Sequence, residues 1–290
     1  SSEPLEFYVD IPLTNSDGTG WIYDVILYPK NQTVYGKVEF TKYGDDESTP
    51  LAGVKFKLEK KTGEDTWEVI GNPNDADGYW TTGADGKIVV EGMAKADYRF
   101  VEVATLDTYA LDNRAVTFTI QKSYIADNEE THVEPSMNNY LIPIIDKKID
   151  LDAETFQVGD TITWDLYVDV PKNIEDYTEF YITDQLDARL TYVPDSVKVY
   201  GVKNDVEALI SATEGAYTVN SATANGLTTL TVKFIDKDNN ENVNGNAELL
   251  AQYDDLHITF QTTITTLGDT SITNKAILDF NNGAGADGQT

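Results

Sequence analysis

The chain has 290 residues, 40% of them hydrophobic and 11% aromatic, enough apolar material for about two packed domains and too much for a disordered chain. Its 50 Asp and Glu against 21 Lys and Arg give a net charge of −29, which phosphate backbones and anionic membrane surfaces repel, so nucleic acid and membrane are excluded as partners. With no cysteine there is no disulfide and no thiolate metal site, and no run of about 20 apolar residues can form a transmembrane helix.

Val, Ile, Thr and Tyr are plentiful, which favours strands. Residues 5–29 read as a hairpin: Phe7, Val9 and Ile11 alternate, Asn15-Ser16-Asp17-Gly18 supplies the turn, and Trp21, Tyr23, Val25 and Leu27 alternate again. A lone hairpin is marginal in water, so residues 1–31 are expected to be the last strands of a domain that begins before this sequence. In Tyr28-Pro29-Lys30-Asn31, Pro29 fixes its own φ and holds Tyr28 extended, offering Lys30 at a strand end.

Residues 32–143 form the first complete unit, with strands expected at 34–40, 54–58, 87–90, 98–103 and 116–120 between turn signals at 44–50, 72–78 and 83–86. Residues 144–282 form the second, with strands expected at 144–149, 161–170, 180–184, 197–202, 230–234, 256–263 and 272–280 and at most a turn or two of helix at 246–253. Many short strands with frequent turns predict an all-β protein of tandem β-sandwiches. Residues 283–290 are small and polar and read as a linker.

Side chains two apart on a strand share a face, and that rule puts charges on apolar faces. Lys42 falls with Val38 and Phe40, Glu102 with Tyr98 and Phe100, and Asn139 with Met137 and Leu141, Asn138 being a near-equal candidate. The second unit repeats the order: Lys147 (or its neighbour Lys148) with Ile145 and Ile149, Asp184 with Ile182 and Leu186, and Asn274 with Ile272 and Ala276. One such set reads as a buried ion pair, which is costly unless neutral or well paired. Two sets in the same order point to chemistry. Burial lowers a lysine pKa and raises that of a carboxyl, so the amine becomes a neutral nucleophile and the carboxyl a proton shuttle beside the asparagine amide. The product is a Lys–Asn amide between first and last strands with loss of ammonia, and Glu102 and Asp184 are the catalytic candidates. Closing a loop of roughly 100 residues restricts the unfolded chain much as a disulfide does.

These residues carry a family resemblance. Thr41-Lys42-Tyr43-Gly44 with Leu51-Ala52-Gly53-Val54-Lys55-Phe56 resembles the start of a CNA-B domain, and Tyr98-Arg99-Phe100-Val101-Glu102 with Tyr109 resembles the pilin E-box, although Val103 and Thr105-Leu106 replace the usual Thr and Ala-Pro. Val158-Gly159-Asp160-Thr161-Ile162-Thr163-Trp164, Val170-Pro171, Ile182-Thr183-Asp184-Gln185-Leu186 with Leu190-Thr191-Tyr192, and Thr273-Asn274-Lys275-Ala276 resemble the second isopeptide-bonded domain of backbone pilins. Tyr28-Pro29-Lys30-Asn31 resembles the pilin motif of Gram-positive shaft pilins.

The resemblance implies tandem Ig-like β-sandwiches in a secreted, cell-wall-anchored pilus. It implies that Lys30 resolves a sortase acyl-enzyme holding the next subunit, and that Asn31 bonds a lysine of a preceding domain. The partners implied are other copies of the chain, a pilus sortase, tip and basal minor pilins, and host surface receptors. No cofactor and no metal is implied, and the chain is not an enzyme in the usual sense. No signal peptide and no C-terminal sorting signal is present, so a fragment of a longer pilin is expected.

Two other readings compete: a surface adhesin or stalk of the same domains that does not polymerise, and a carbohydrate-active module. Paired carboxylates carry little weight for the latter in so acidic a chain. The acidic turns at 45–47, 72–78 and 254–255 lack the later glutamate of a calcium loop and read as solvated turns.

Overall fold

The computed structural model describes residues 13–14, 17–22, 35–121, 131–150, 155–212, 215–237, 247–268 and 270–290. In the N-terminal stretch β1 (Leu13–Thr14) and β2 (Trp21–Ile22) pair antiparallel, Leu13 opposite Ile22. The Asp17 carboxylate holds the turn, accepting from the Thr19 amide at 3.1 Å and hydroxyl at 2.7 Å. The motif around Lys30, with Asn31, lies outside the described residues.

The first unit comprises β3 (Gly36–Tyr43), β4 (Lys55–Lys61), β5 (Trp67–Ile70), β6 (Trp80–Thr81), β7 (Lys87–Met93), β8 (Ala96–Ala104), β9 (Val116–Ile120), β10 (Thr131–Val133) and β11 (Ser136–Asn138). One sheet is built on β3. Along one edge runs β7, antiparallel; along the other β10 and β11 follow each other in parallel. Pro135, between β10 and β11, has no N–H to donate but accepts from Thr41 at 3.0 Å. The second sheet runs β5–β4–β8–β9, with β6 beside β4. The alternation of β3 and β8 turns Val38, Phe40, Tyr98 and Phe100 inward, and Phe40 meets the rings of Phe56 at 4.8 Å and Phe100 at 4.9 Å.

The second unit is a larger sandwich. Its strands are β12 (Ile145–Asp150), β13 (Thr161–Asp169), β14 (Glu179–Gln185), β15 (Leu190–Tyr192), β16 (Lys198–Lys203), β17 (Val206–Ile210), β18 (Thr218–Ala224), β19 (Leu227–Asp236), β20 (Asp255–Ile264), β21 (Lys275–Asn281) and β22 (Asp287–Gln289). One sheet has the order β12–β13–β20–β16–β17 with β15 also on β20, and the other β18–β19–β14–β21–β22. One short α-helix, α1 (Ala247–Leu250), and a 3-10 turn at Ile174–Asp176 are found among the described residues. Trp164, Leu166, Phe180, Ile182, Phe234, Ile258 and Phe260 fill the space between the sheets. His132, on β10, is exposed, and His257, on β20, stacks on Tyr167 and lies 2.8 Å from both Asp165 and Glu207.

Residues 283–290, expected to be a linker, instead complete the second sandwich. Asn282 Oδ1 accepts from the amides of Ala284 and Ala286, Gly283 and Gly285 adopt positive φ, and the chain folds back as β22 on β21. Small, polar composition here encodes a tight turn, so the second unit runs to residue 290. That turn also joins the units. Asn113 donates its amide to Ala284 at 2.6 Å, Asn282 Nδ2 donates to the Leu111 carbonyl at 2.8 Å, and Arg114 bridges Asp112 to Asp176.

Candidate functional site: two buried lysine–carboxyl–asparagine sets

In the first unit the inward register of β3 ends on Lys42, that of β8 reaches Glu102, and the Asn139 amide donates to Tyr43 O at 2.9 Å just past β11. All three are buried, Lys42 and Asn139 completely. Lys42 Nζ stands 2.9 Å from Glu102 Oε2, at an angle that leaves that oxygen without a well-directed hydrogen bond, and donates to the Asn138 carbonyl at 3.1 Å. The other carboxyl oxygen, Oε1, accepts from Asn139 Nδ2 at 2.9 Å and from the Asp112 amide at 3.3 Å. One carboxyl therefore lies between the amine and the carboxamide. Burial pushes the Lys42 pKa down, against the pull of Glu102, and burial pushes the Glu102 carboxyl up, against Lys42 and Asn139. Both shifts favour the neutral forms.

The backbone of Lys42 is gripped as well. Its amide donates to Gly86 O at 2.8 Å and its carbonyl accepts from Leu51 at 2.8 Å. Gly86 has φ +71°, and a Cβ there would lie 2.7 Å from the Lys42 carbonyl oxygen, so only glycine fits this approach.

In the second unit Lys147 of β12 pairs with the Asp184 carboxylate of β14. The ammonium lies 4.5 Å from the Trp164 ring and 5.0 Å from the Phe260 ring, facing the core. Lys148 points outward to Asp146, so of the two neighbouring lysines Lys147 is the one that faces the core. Burial lowers the Lys147 pKa against the pull of Asp184, and burial raises that of Asp184 against Lys147. Asn274, immediately before β21, lies close enough to depress the Asp184 pKa slightly, yet its amide makes no hydrogen bond of ordinary geometry. Its nitrogen and oxygen are both buried without a hydrogen-bond partner, as is Asp184 Oδ1.

The six residues named from the sequence for the two cross-links thus converge in two sets. Two expected neighbours on the shared faces do not: Leu141 is 45% exposed and Ile149 37%. Asn274 reaches its set but precedes its strand rather than lying in it. Both asparagines sit at strand ends, where the two-residue alternation has stopped. Sequence reasoning missed Thr105, whose Oγ1 accepts from Asn139 Nδ2 at 2.8 Å, because it lies past the end of β8. It also missed the ring clamp on Lys147. Among the described residues no group of three or more His, Asp or Glu could hold a metal ion.

Residues 36–132 match the family described as SpaA, prealbumin-like fold domain. Over 88% of its length the chain superimposes on BcpA, the major pilin subunit of Bacillus cereus, with a TM-score of 0.62 and 23% identity, covering 67% of that chain. It also superimposes on the full-length major pilin SpaD from Corynebacterium diphtheriae, with a TM-score of 0.60 and 21% identity. The chain spans 64% of the length of SpaD. The fold is that of these major pilins. No curated protein matches the chain in sequence.

Proposed function

We propose that the chain is a structural subunit of a covalently polymerised, extracellular cell-surface pilus, and that each sandwich is closed by an amide it makes itself. Lys42 joins Asn139 with Glu102 as proton shuttle; Lys147 joins Asn274 with Asp184. The observation that carries the reading is the repetition: two lysine–carboxyl–asparagine sets, the first fully buried and the second closed around a buried Asp184 with Lys147 and Asn274 partly buried, one in each of two tandem units that share the fold of major pilins. A buried ion pair is poor value for stability on its own, whereas a reacted pair leaves no buried charge. The reaction happens once per site and inside one molecule, so the chain is not an enzyme in the usual sense.

The intact mass of the purified chain under denaturing conditions tests the cross-links. A deficit of two ammonias against the sequence mass is expected, with the linked peptides mapping to Lys42–Asn139 and Lys147–Asn274. A mass equal to the sequence mass would return both lysines to ordinary ion pairs.

Polymerisation is assigned to Lys30, whose resemblance to the pilin motif supports the role. Co-expressed with its pilus sortase, the full-length protein is expected to give a high-mass ladder that Lys30→Ala abolishes. A ladder that survives the change would favour a different linking residue, and no ladder from the parent would favour a non-polymerising stalk. Neighbouring copies, that sortase, minor pilins at tip and base, and host receptors are the partners this function requires.

A further inference from the structure

We propose that Thr105 is a second catalytic group for closure of the Lys42–Asn139 link, one that fixes the plane of the carboxamide under attack. The proposal rests on the cross-linking reading above and adds a residue to it.

The carboxamide of Asn139 turns about a single sp³–sp² bond, a torsion with a broad, soft profile. Attack on its carbon must come from above or below the amide plane, so the setting of that torsion decides whether Lys42 meets a face or an edge. Two anchors set it here. Nδ2 carries two hydrogens; one goes to Glu102 Oε1 at 2.9 Å and the other to Thr105 Oγ1 at 2.8 Å. The remaining heteroatom, Oδ1, is buried and has no hydrogen-bond partner, so nothing else holds the plane. With Glu102 alone the group would pivot about one contact.

The anchor also touches the atom that leaves. Lys42 Nζ bonds to Cγ of Asn139 and the Cγ–Nδ2 bond breaks. Glu102 gives its proton to Nδ2 and takes one from Nζ, so ammonia departs and the carboxyl ends as it began. Thr105 keeps its own proton and holds one N–H of Nδ2 until the bond breaks. The Asn274 carboxamide makes no hydrogen bond of ordinary geometry, which makes the second unit an internal reference.

The test follows closure in time. The full chain is made by cell-free synthesis, samples are quenched in acid, and intact mass and linked peptides are read at each point. Losing one neutral hydrogen bond corresponds to a roughly five- to tenfold slower Lys42–Asn139 closure in Thr105→Val. Thr105→Ser, which keeps the oxygen, is expected to close at the parent rate, and Lys147–Asn274 closure is expected to be unchanged in both. Thr105 is only half-buried, so both variants are expected to fold, and near-ultraviolet circular dichroism with the final extent of closure checks that they do. Thr105→Val closing at the parent rate would overturn the proposal, as would a Thr105→Ser as slow as valine. A parent chain that never loses ammonia would overturn the cross-linking reading itself, a different and separately visible result.

Discussion

Asn139→Ala is expected to lower the melting midpoint of the first unit by roughly 20–40 °C while the second unit melts where it did before. The reasoning is a matter of loop length. A Lys42–Asn139 link closes a loop of 139 − 42 = 97 residues. The chain-entropy model gives about 4.7 kcal/mol for a loop of that size. For a domain of roughly 100 residues, each kcal/mol moves the midpoint by about 4–8 °C. Alanine is the informative choice because it leaves the Lys42–Glu102 pair in place. Changing either partner of the pair would strand a buried charge, and that penalty would be confused with the loss of the link. Scanning calorimetry of the full chain resolves the two units, and the mass deficit of the same sample should fall from two ammonias to one. If Asn139 only makes hydrogen bonds, its loss costs about 1–3 kcal/mol, and the mass deficit does not change. Hydrogen bonds alone would move the midpoint by roughly 4–24 °C, so the mass decides: a deficit that Asn139→Ala leaves unchanged would sink the idea that the first unit is linked.

How much of this was legible before the structure depends on where each residue sits. Lys42, Glu102 and Asp184 lie inside long strands whose alternation is kept from end to end, so the apolar residues beside them betray their direction. Asn139 and Asn274 lie one step outside their strands, where side-chain direction is set by a backbone contact such as Asn139 N to Tyr43 O. The pattern found the right residues there and the wrong company. Strands β10 and β11 have no local signature because they are short, broken by Pro135, and stabilised by parallel pairing to a strand almost a whole domain away in sequence. Strand β18 is exposed along its whole length, so it has no buried face to alternate with. Tail residues 283–290 look like a linker because the turn that begins them needs glycine and small residues, and only the pairing of Leu278 with Thr290 reveals the strand. Thr105 is the extreme case: its partner is remote in sequence and its contact lies beyond a strand end, so no periodicity points to it.

Asp184→Asn is expected to slow closure of the Lys147–Asn274 link by roughly a hundredfold or more and to change the shape of its pH dependence. In the parent, the reactive form is the pair holding one proton, and burial favours placing it on Asp184 with a neutral Lys147. A second proton, gained as pH falls, converts the lysine to an ammonium and stops attack. Loss of the last proton, as pH rises, leaves nothing to protonate the departing nitrogen. Closure should thus trace a bell whose two limbs belong to the pair rather than to either residue. With asparagine in place of Asp184, the influences that raised the Lys147 pKa are gone while its burial remains, so that pKa falls further. The residual rate should then climb with pH through the lowered lysine pKa and stay flat above it, because the alkaline limb belonged to the missing carboxyl. The rings of Trp164 and Phe260 still pack beside the lysine, so a slow reaction is expected rather than none. Quenched-mass kinetics across the pH range, with the Lys42–Asn139 site as reference in the same molecule, reads both limbs. A variant that keeps the parent's alkaline limb, or closes at the parent's rate, would remove Asp184 from the proton path and leave it as the counter-ion of a buried lysine.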